Sequence, residues 1–306
     1  MKISVIGAGN VGGTAAMRIA QERLGDVVLV DIADGTAKGK AADINDARNV
    51  LMYDSVVRGT GDISAVAGSD IVVFTAGLAR KPGMTREDLL NKNAAILKEA
   101  CLKIKESAPG AILIIVTNPL DLMTALALRV TGFSRNRVLG MGMTLDASRF
   151  ANILSERLNV PASAINACVI GSHGEGMIPL PRFTTIDGNP LPGLLDAPAI
   201  EEAVKRTVGR GQEIVSYFGN GSAFFAPSAA ICDLVKIIAL DTRRVRGASV
   251  MLEGEYGLRG VCIGVPCRIG RSGVQEVIEL ELDARENDKL RASAEGLKKL
   301  FSGMAL

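Results

Sequence analysis

The sequence is poor in several residue types, and each shortage excludes a class of function. It contains a single histidine, His173, so a cluster of histidines cannot hold a metal ion. It has no tryptophan and only 4% aromatic residues, which leaves few side chains for stacking nucleic-acid bases. Its 35 basic and 33 acidic residues form no prominent run of one sign, so neither nucleic acid nor a membrane surface is a predicted partner.

The cysteines and the hydrophobic runs bear on the cellular compartment. The five cysteines are odd in number and form no C-x-x-C pair, which favours unpaired thiols in a reducing cytosol over a disulfide framework or a metal site. The longest aliphatic runs, such as residues 111–116, are too short to cross a bilayer. No signal-peptide pattern precedes the first predicted strand. We therefore expect a cytoplasmic protein with no membrane segment.

The order of apolar runs predicts an α/β protein with two domains, for which 306 residues are sufficient. In the first half, short buried-strand candidates alternate with helical patterns, which is typical of a doubly wound parallel sheet over residues 1–144. In the second half, helical patterns mix with strand-like runs, which predicts a C-terminal α+β substrate domain over residues 145–306. The strands are expected at 2–6, 27–30, 71–75, 112–116, 138–141, 248–252, 260–265 and 274–280.

A glycine-rich turn after the first predicted strand has the spacing of a dinucleotide site. The segment Gly7-Ala8-Gly9-Asn10-Val11-Gly12 follows G-x-G-x-x-G and joins a strand to a helix. The first glycine allows the tight turn, the second lets the backbone approach a pyrophosphate, and the third allows close helix–strand packing. Asp31 ends the second strand. A carboxylate at this position accepts hydrogen bonds from the ribose hydroxyls of NAD and repels the extra phosphate of NADP. We predict an N-terminal Rossmann domain in which these six residues and Asp31 bind NAD.

His173 lies among glycines in residues 171–176, GSHGEG. Its imidazole can exchange a proton near neutral pH. By itself this pattern fits a catalytic base and a structural histidine equally well. The dinucleotide motif and the arginines elsewhere in the chain favour the catalytic interpretation.

Three further segments carry polar side chains at predicted strand or helix ends, where open α/β sheets place ligands. They are residues 77–88 (GLARKPGMTRED), 116–119 (VTNP) and 145–150 (LDASRF). Together with the glycine motif and the pattern G-x-H-G-x-x-M-x-P-L around His173, they resemble the lactate/malate dehydrogenase family over essentially the whole chain.

The resemblance implies a catalytic group of three residues. His173 matches the residue that removes the hydroxyl proton as hydride leaves C2, and that returns it in reduction. Asp146 matches the carboxylate that orients the imidazole and stabilises the imidazolium. Arg149 matches the clamp on the C1 carboxylate, for which the planar guanidinium is suited. No metal is implied.

The resemblance also assigns residues around this group. Arg86 matches the loop arginine that polarises the C2 carbonyl oxygen, and Asn118 matches a residue that touches both substrate and cofactor. Asn93 and the backbone near Val116 match contacts on the nicotinamide side of the cofactor. These roles are expected from the family resemblance and not from spacing or composition.

Arg80 predicts the substrate. In the family, glutamine at this loop position accompanies pyruvate, and arginine accompanies oxaloacetate. A second carboxylate in a closed site requires a fixed cation, and a hydrogen bond to a charged group contributes about 1.5–3 kcal/mol. The resemblance therefore implies that this protein interconverts (S)-malate and oxaloacetate with NAD. Within the family, the chain is most similar to the malate dehydrogenases that are closest to lactate dehydrogenases in sequence.

Other interpretations of the same sequence remain. A lactate or other 2-hydroxy-acid dehydrogenase is disfavoured chiefly by Arg80. A non-catalytic NAD-binding protein would not need a histidine, an aspartate and three arginines together, and a metal-dependent NAD glycosidase would be sensitive to chelators. A short-chain dehydrogenase would need Tyr-x-x-x-Lys, which none of the three tyrosines begins.

The chain departs from the usual family pattern in small ways. Ala79 stands where proline is common, and Gly176 stands where serine or threonine is common, which removes a hydroxyl near the histidine. Neither departure removes a reacting group. The family also implies a homodimer or homotetramer, with residues 36–52 and 151–158 as candidate interface helices.

Overall fold

The first half of the chain forms a parallel sheet, in a computed structural model that describes residues 1–78, 86–219 and 221–304, apart from the side chain of Arg86. Its strands are β1 (Lys2–Ile6), β2 (Asp26–Val30), β3 (Val57–Thr60), β4 (Ile71–Phe74), β5 (Ile112–Ile115) and β6 (Val138–Gly140). They lie in the order β3-β2-β1-β4-β5-β6, and all adjacent pairs are parallel. Successive strands are added toward one edge of the sheet from β1 to β3 and toward the other edge from β4 to β6. The carboxyl ends of β1 and β4 therefore border the expected ligand crevice.

These strands form because short apolar runs are covered on both faces. Every residue of β4 and of β5 is buried. Successive side chains point to opposite faces of the sheet, so Ile71 and Val73 join one core cluster while Val72 and Phe74 join another. The helices of this half are α1 (Asn10–Gln21), α2 (Asp34–Asp46), α3 (Arg48–Leu51), α4 (Arg86–Ser107), α5 (Leu120–Thr131) and α6 (Met143–Leu158).

The second half adds antiparallel strands, most of them to the same sheet and the rest to a small separate sheet. They are β7 (Ile165–Asn166), β8 (Val169–Gly171), β9 (Met177–Pro179), β10 (Thr185–Ile186), β11 (Asn189–Pro190), β12 (Val245–Glu253), β13 (Arg259–Gly270) and β14 (Gly273–Val277). Strand β12 meets β6 where Ser249 pairs with Gly140, and β13 carries β14 and β8, which in turn pairs with β9. The small sheet β11-β10-β7 lies apart from this arrangement.

Three longer helices complete the second half: α7 (Ala197–Phe218), α8 (Phe225–Ala239) and α9 (Ala284–Ser302). Helix α9 begins with a capping box, because Asp283 accepts from the Glu286 backbone N–H at 2.8 Å and Glu286 accepts from that of Asp283 at 2.9 Å. Arg182 bonds Glu286 at 2.8 Å and so ties this helix to the chain after β9. Short 3-10 turns lie at Ile63–Val66, Arg135–Arg137, Ala162–Ala164, Pro181–Phe183, Leu191–Gly193 and Glu255–Gly257.

The fold class predicted from the sequence is confirmed: a doubly wound parallel sheet is followed by a mixture of helices and antiparallel strands. The sequence did not indicate α5, because its apolar residues surround the helix and leave no polar face to mark a helical period. The single helix expected over 36–52 is two helices, α2 and α3. The domain boundary after residue 144 stays a prediction.

Candidate active site

The glycine motif forms the turn between β1 and α1. Gly7 has φ +104°, and a Cβ there would lie 2.7 Å from the backbone nitrogen of Ala76. A Cβ on Gly12 would collide with the carbonyl oxygen of Gly7, so this glycine is required for helix and strand to approach. A Cβ on Gly9 would meet no described atom within 4 Å, and no described side chain caps the first turn of α1. The N-terminus of α1 therefore offers open space and free N–H groups that suit a pyrophosphate.

Asp31 and Lys40 flank this turn. Asp31 lies just beyond the end of β2, and its carboxylate accepts from the backbone N–H groups of Ala8 at 2.6 Å and Ala33 at 2.9 Å. Lys40 on α2 donates from Nζ to the carbonyl of Gly9 at 2.9 Å. Lys40 could not be recognised from the sequence, because a lysine nine residues beyond Asp31 belongs to no motif. Its charge beside the turn adds to the attraction for an anion.

The chain segments after β4 and β5 meet through one buried amide. Asn93 on α4 is 2% exposed; its Oδ1 accepts from the backbone N–H of Leu78 at 2.8 Å, and its Nδ2 donates to the carbonyl of Asn118 at 2.9 Å. Asn118 is exposed and precedes a cis peptide bond to Pro119, while Val116 is half-buried. In this arrangement Asn93 aligns two strand ends; the contacts of these three residues with substrate or cofactor stay predictions.

His173 lies in the turn between β8 and β9. Gly171 has φ +96° and Gly174 has φ +110°, a region that favours glycine, so both residues serve the backbone path of the turn as well as clearing space. Gly142 also borders the ring, because a Cβ there would lie 3.1 Å from the Cβ of His173. The His173 side chain keeps 15% of its surface exposed.

Asp146 and Arg149 stand one turn apart on α6 and face this ring. Asp146 is fully buried; its Oδ2 lies 2.7 Å from His173 Nδ1, and its Oδ1 accepts from Arg149 Nη1 at 3.3 Å. The Nε of Arg149 is buried and has no partner among the described residues. One carboxylate thus joins an imidazole to a guanidinium that retains hydrogen-bonding capacity for another anion.

The charges around His173 determine its protonation. Burial alone would lower the pKa of His173, but the adjacent carboxylates of Asp146 and Asp121 outweigh burial and the opposing charge of Arg149, and hold this pKa above the ordinary value of 6.5. Burial lowers the pKa of Arg149, as does the neighbouring Arg210, while Asp146 raises it. Because an arginine stays protonated under physiological conditions, Arg149 remains a cation.

A network behind the histidine was not visible in the sequence. Asp121 on α5 is 3% exposed and accepts from the backbone N–H of His173 at 2.9 Å and from the Ser249 hydroxyl at 2.6 Å. No motif marks these residues, since they lie 52 and 128 positions from their partners. Their type offered one signal: an aspartate and a serine within apolar runs need hydrogen-bond partners if buried.

Two serine hydroxyls occupy the space beside Gly176. A Cβ on Gly176 would lie 3.1 Å from the hydroxyl oxygen of Ser293 and would collide with that of Ser172. Ser293 on α9 donates to the Ser172 hydroxyl at 2.9 Å. Two serines therefore fill the space that a side chain at residue 176 would need, in the turn that carries His173.

Part of the predicted site lies outside the described residues. Ala79 and Arg80 fall in residues 79–85, and the side chain of Arg86 is likewise not described, although its backbone begins α4. Within the described ranges, no group of three or more His, Cys, Asp or Glu side chains could hold a metal ion. No helix in the described part of the chain is long and apolar enough to cross a membrane.

Comparison with known proteins decides the family. A family model described as "lactate/malate dehydrogenase, NAD binding domain" matches residues 1–140, and one described as "lactate/malate dehydrogenase, alpha/beta C-terminal domain" matches residues 143–304. The chain belongs to the lactate/malate dehydrogenase family. It is accordingly an NAD-dependent oxidoreductase, and the resemblance inferred from its motifs is confirmed.

Relatives of this family match at full length. A malate dehydrogenase of Methanosarcina acetivorans is 47% identical over 305 residues, covering 100% of this chain and 99% of the relative. The apo malate dehydrogenase of Picrophilus torridus superposes with a TM-score of 0.95 at 40% identity, covering 98% of this chain and 96% of that one. A Cryptosporidium parvum lactate dehydrogenase, complexed with lactic acid and nicotinamide adenine dinucleotide, superposes at 0.94 with 36% identity, covering 99% and 98%.

Proposed function

We propose that this protein is an NAD-dependent malate dehydrogenase that interconverts (S)-malate and oxaloacetate, with His173 as general acid and base. The observation that carries the proposal is the hydrogen-bonded group of His173, Asp146 and Arg149. It combines a proton carrier with a cation suited to a carboxylate. A structural histidine would need neither the buried guanidinium nor a raised pKa.

The geometry defines how the proton moves. An ionised carboxylate only accepts hydrogen bonds, so the contact between Asp146 Oδ2 and His173 Nδ1 fixes a proton on Nδ1. The lone pair of neutral His173 then lies on Nε2, which accepts the C2 hydroxyl proton of the substrate. Asp146 stabilises the imidazolium formed in this step, as in other carboxylate–histidine pairs. In reduction, the same Nε2 proton returns to the carbonyl oxygen.

The other binding residues hold the reactants around this histidine. Arg149 binds the C1 carboxylate through the donors that Asp146 leaves free, and Arg86 polarises the C2 oxygen. Asn118, Asn93 and Val116 border the nicotinamide side. The turn at residues 7–12 with Asp31 would hold the pyrophosphate and ribose of the cofactor, which would supply an acceptor for the C2 hydride as NAD⁺ and a donor of it as NADH.

The choice of malate over lactate depends on Arg80 and on the relatives. Several relatives that are 45–47% identical to this chain, including the Methanosarcina acetivorans protein, are named malate dehydrogenases. Because lactate dehydrogenases share the fold, the fold itself does not separate the two substrates. A positive charge at residue 80 complements the second carboxylate of oxaloacetate and would lack a partner beside pyruvate.

Replacement of His173 tests the chemical assignment. We expect His173→Asn to lower kcat by at least about 10²- to 10⁴-fold, the range ascribed to general acid–base catalysis, with NADH binding retained. NADH fluorescence measures the binding and NADH oxidation measures the rate. Near-full activity of the variant would overturn the role of His173.

Replacement of Arg80 tests the substrate assignment. We expect Arg80→Gln to lower kcat/KM for oxaloacetate and to shift the preference toward pyruvate, because the cation for the second carboxylate is lost. Lys81→Gln is a matched control, since it removes a positive charge from the next residue in the sequence. An oxaloacetate-to-pyruvate ratio that changes equally in both variants would contradict a specific role for Arg80.

We also propose self-association into a homodimer or homotetramer. The exposed apolar side chains of Val50, Leu51 and Met52 form a surface on and after α3 that contact with a second copy would cover. Sedimentation equilibrium of the wild type should give a multiple of the monomer mass, and Met52→Glu should shift it downward. A monomeric wild type would contradict the proposal.

A further inference from the structure

A second buried carboxylate lies behind the histidine, in the first turn of α5. Asp121 is 3% exposed, and both of its oxygens are engaged: Oδ2 accepts from the backbone N–H of His173 at 2.9 Å, and Oδ1 accepts from the Ser249 hydroxyl at 2.6 Å. These bonds connect three separate parts of the fold, namely α5, the turn between β8 and β9, and β12. A carboxylate that is nearly free of solvent requires such partners, because its desolvation is costly.

We propose that Asp121 is a positioning residue for His173, which fixes the main chain of the histidine and, as an anion, favours the protonated imidazole. The proposal rests on the proposed role of His173 as acid and base. Asp146 orients the ring from its side-chain end, whereas Asp121 holds the same residue by its backbone. Together they leave the imidazole little freedom to rotate or shift.

The electrostatic part follows from the charges that face the ring. Within the described residues these are Asp146 and Arg149 on α6 and Asp121 on α5. Cys262 on β13 faces Asp121, but burial raises the pKa of its thiol, so it stays neutral. Asp121 and Asp146 therefore act in the same direction and oppose Arg149.

Hydrogen bonds and the nearby histidine favour the ionised form of Asp121, whereas its burial opposes that form. The net result is a raised pKa of Asp121: burial is the largest cause, the hydrogen bonds from Ser249 and His173 and the charge of His173 lower the pKa, and Asp146 raises it further. Its place in the first turn of α5 adds the positive end of a helix dipole. An imidazolium at His173 stabilises this anion in turn.

The single histidine allows a direct test. In protein labelled only at histidine, the imidazole NMR signals belong to His173 alone, so a titration reports its pKa without any need for turnover. Asp121→Asn keeps both hydrogen bonds, because the amide oxygen accepts from His173 and the amide nitrogen donates to Ser249. It therefore removes the charge and little else. We expect it to lower the pKa of His173, Asp146→Asn to lower it more, and the exposed control Asp288→Asn to leave it unchanged.

An unchanged pKa of His173 in folded Asp121→Asn would overturn the electrostatic part. The positioning part is tested by Ser249→Ala, which loosens Asp121 without removing it, and by Asp121→Ala, which loses both bonds. A misplacement of about 1 Å can cost about 100-fold in rate, so we expect Asp121→Ala to lower kcat by roughly 10- to 100-fold with NADH affinity unchanged. Ser249→Ala should lower kcat less, and a wild-type kcat in Ser249→Ala would overturn this part even where Asp121→Ala does not fold.

These outcomes separate this proposal from the proposed function. If the wild type reduces no 2-oxo acid but the pKa of His173 is lower in Asp121→Asn than in the wild type, the electrostatic influence of Asp121 stands and the proposed function is wrong. If the wild type is active and the Asp121 variants match it in both pKa and kcat, the function stands and Asp121 has no positioning role.

Discussion

Replacement of Asp146 by asparagine is the sharpest perturbation of the proposed site. Asp146 has two different partners: Oδ1 accepts from Arg149 Nη1 at 3.3 Å and Oδ2 lies 2.7 Å from His173 Nδ1. An asparagine has one acceptor oxygen for these two positions. Arg149 only donates, so the amide oxygen should turn toward the guanidinium and the amide nitrogen toward the imidazole. The proton of neutral His173 is then forced onto Nε2, where a base needs its lone pair.

The expected fall in kcat of Asp146→Asn combines two effects. The charge-assisted hydrogen bond to the imidazolium contributes about 1.5–3 kcal/mol, which corresponds to about 10- to 150-fold in rate. The wrong tautomer adds to this, and the corresponding change in a serine-protease triad costs about 10⁴-fold. Because Arg149 competes for the asparagine oxygen, we expect Asp146→Asn to lie near the upper end, at about 10³- to 10⁴-fold in kcat. Oxidation and reduction should fall together, because a catalyst does not change the equilibrium.

The assay is steady-state NADH formation from malate and NADH oxidation with oxaloacetate, beside a fluorescence titration of NADH binding. The cofactor affinity should remain, because the turn at residues 7–12 is distant in sequence and lies on other elements. Asp288→Asn on α9 is the matched control, since it makes the same chemical change at an exposed position. A loss of less than about tenfold in kcat would refute the tautomer argument.

Three further predictions follow from the site. The pKa of His173 is held above 6.5, and oxidation of malate requires the neutral ring. With rising pH, kcat/KM for malate should therefore rise through a pKa above 6.5, and kcat/KM for oxaloacetate should fall through the same pKa. The pH profiles of both reactions check this prediction, and a shared pKa below 6.5 would contradict it. Gly12→Ala should lower the melting temperature, because the new Cβ would overlap Gly7 and overpacking costs about 1–3 kcal/mol. Gly9→Ala should keep the stability and weaken NADH binding, because the space around Gly9 is open. Calorimetry measures the stability and fluorescence measures the binding, and an equal loss of stability in both variants would be inconsistent with open space at Gly9. Asp31→Ser should raise kcat/KM for NADPH relative to NADH, because repulsion of the 2′-phosphate is removed; an unchanged ratio in cofactor assays would show that Asp31 does not set the preference.

The sequence predicted those parts of the molecule that depend on local pattern. The glycine turn at residues 7–12 is recognisable because three glycines have separate geometric duties within one strand-to-helix connection, and the structure confirms the collision at Gly12 and the positive φ at Gly7. The parallel strands were visible because continuous apolar runs of four to six residues require two covered faces. His173 and Asp146 were predicted as partners from the family motifs, and they lie at hydrogen-bonding distance.

Other parts depend on contacts between distant segments, which a single sequence does not encode in any short pattern. Asp121 reaches Ser249 across 128 residues and Lys40 reaches Gly9 across 31. Helix α5 was missed because it is buried around most of its circumference, so the helical period gives no polar face. The pairing of β12 with β6, which joins the two halves of the sheet, likewise rests on one residue pair that no periodicity indicates.

The most direct test of malate dehydrogenase activity is the ratio of kcat/KM for oxaloacetate to that for pyruvate in the wild-type protein with NADH, at neutral pH and equal substrate concentrations. We predict a strong preference for oxaloacetate, of the order of 10⁴-fold, because a site that provides a cation for the second carboxylate would leave that cation without its partner beside pyruvate. A preference for pyruvate would contradict the assignment of malate and oxaloacetate while leaving NAD and His173 in place. No turnover of either substrate would contradict the proposed function as a whole.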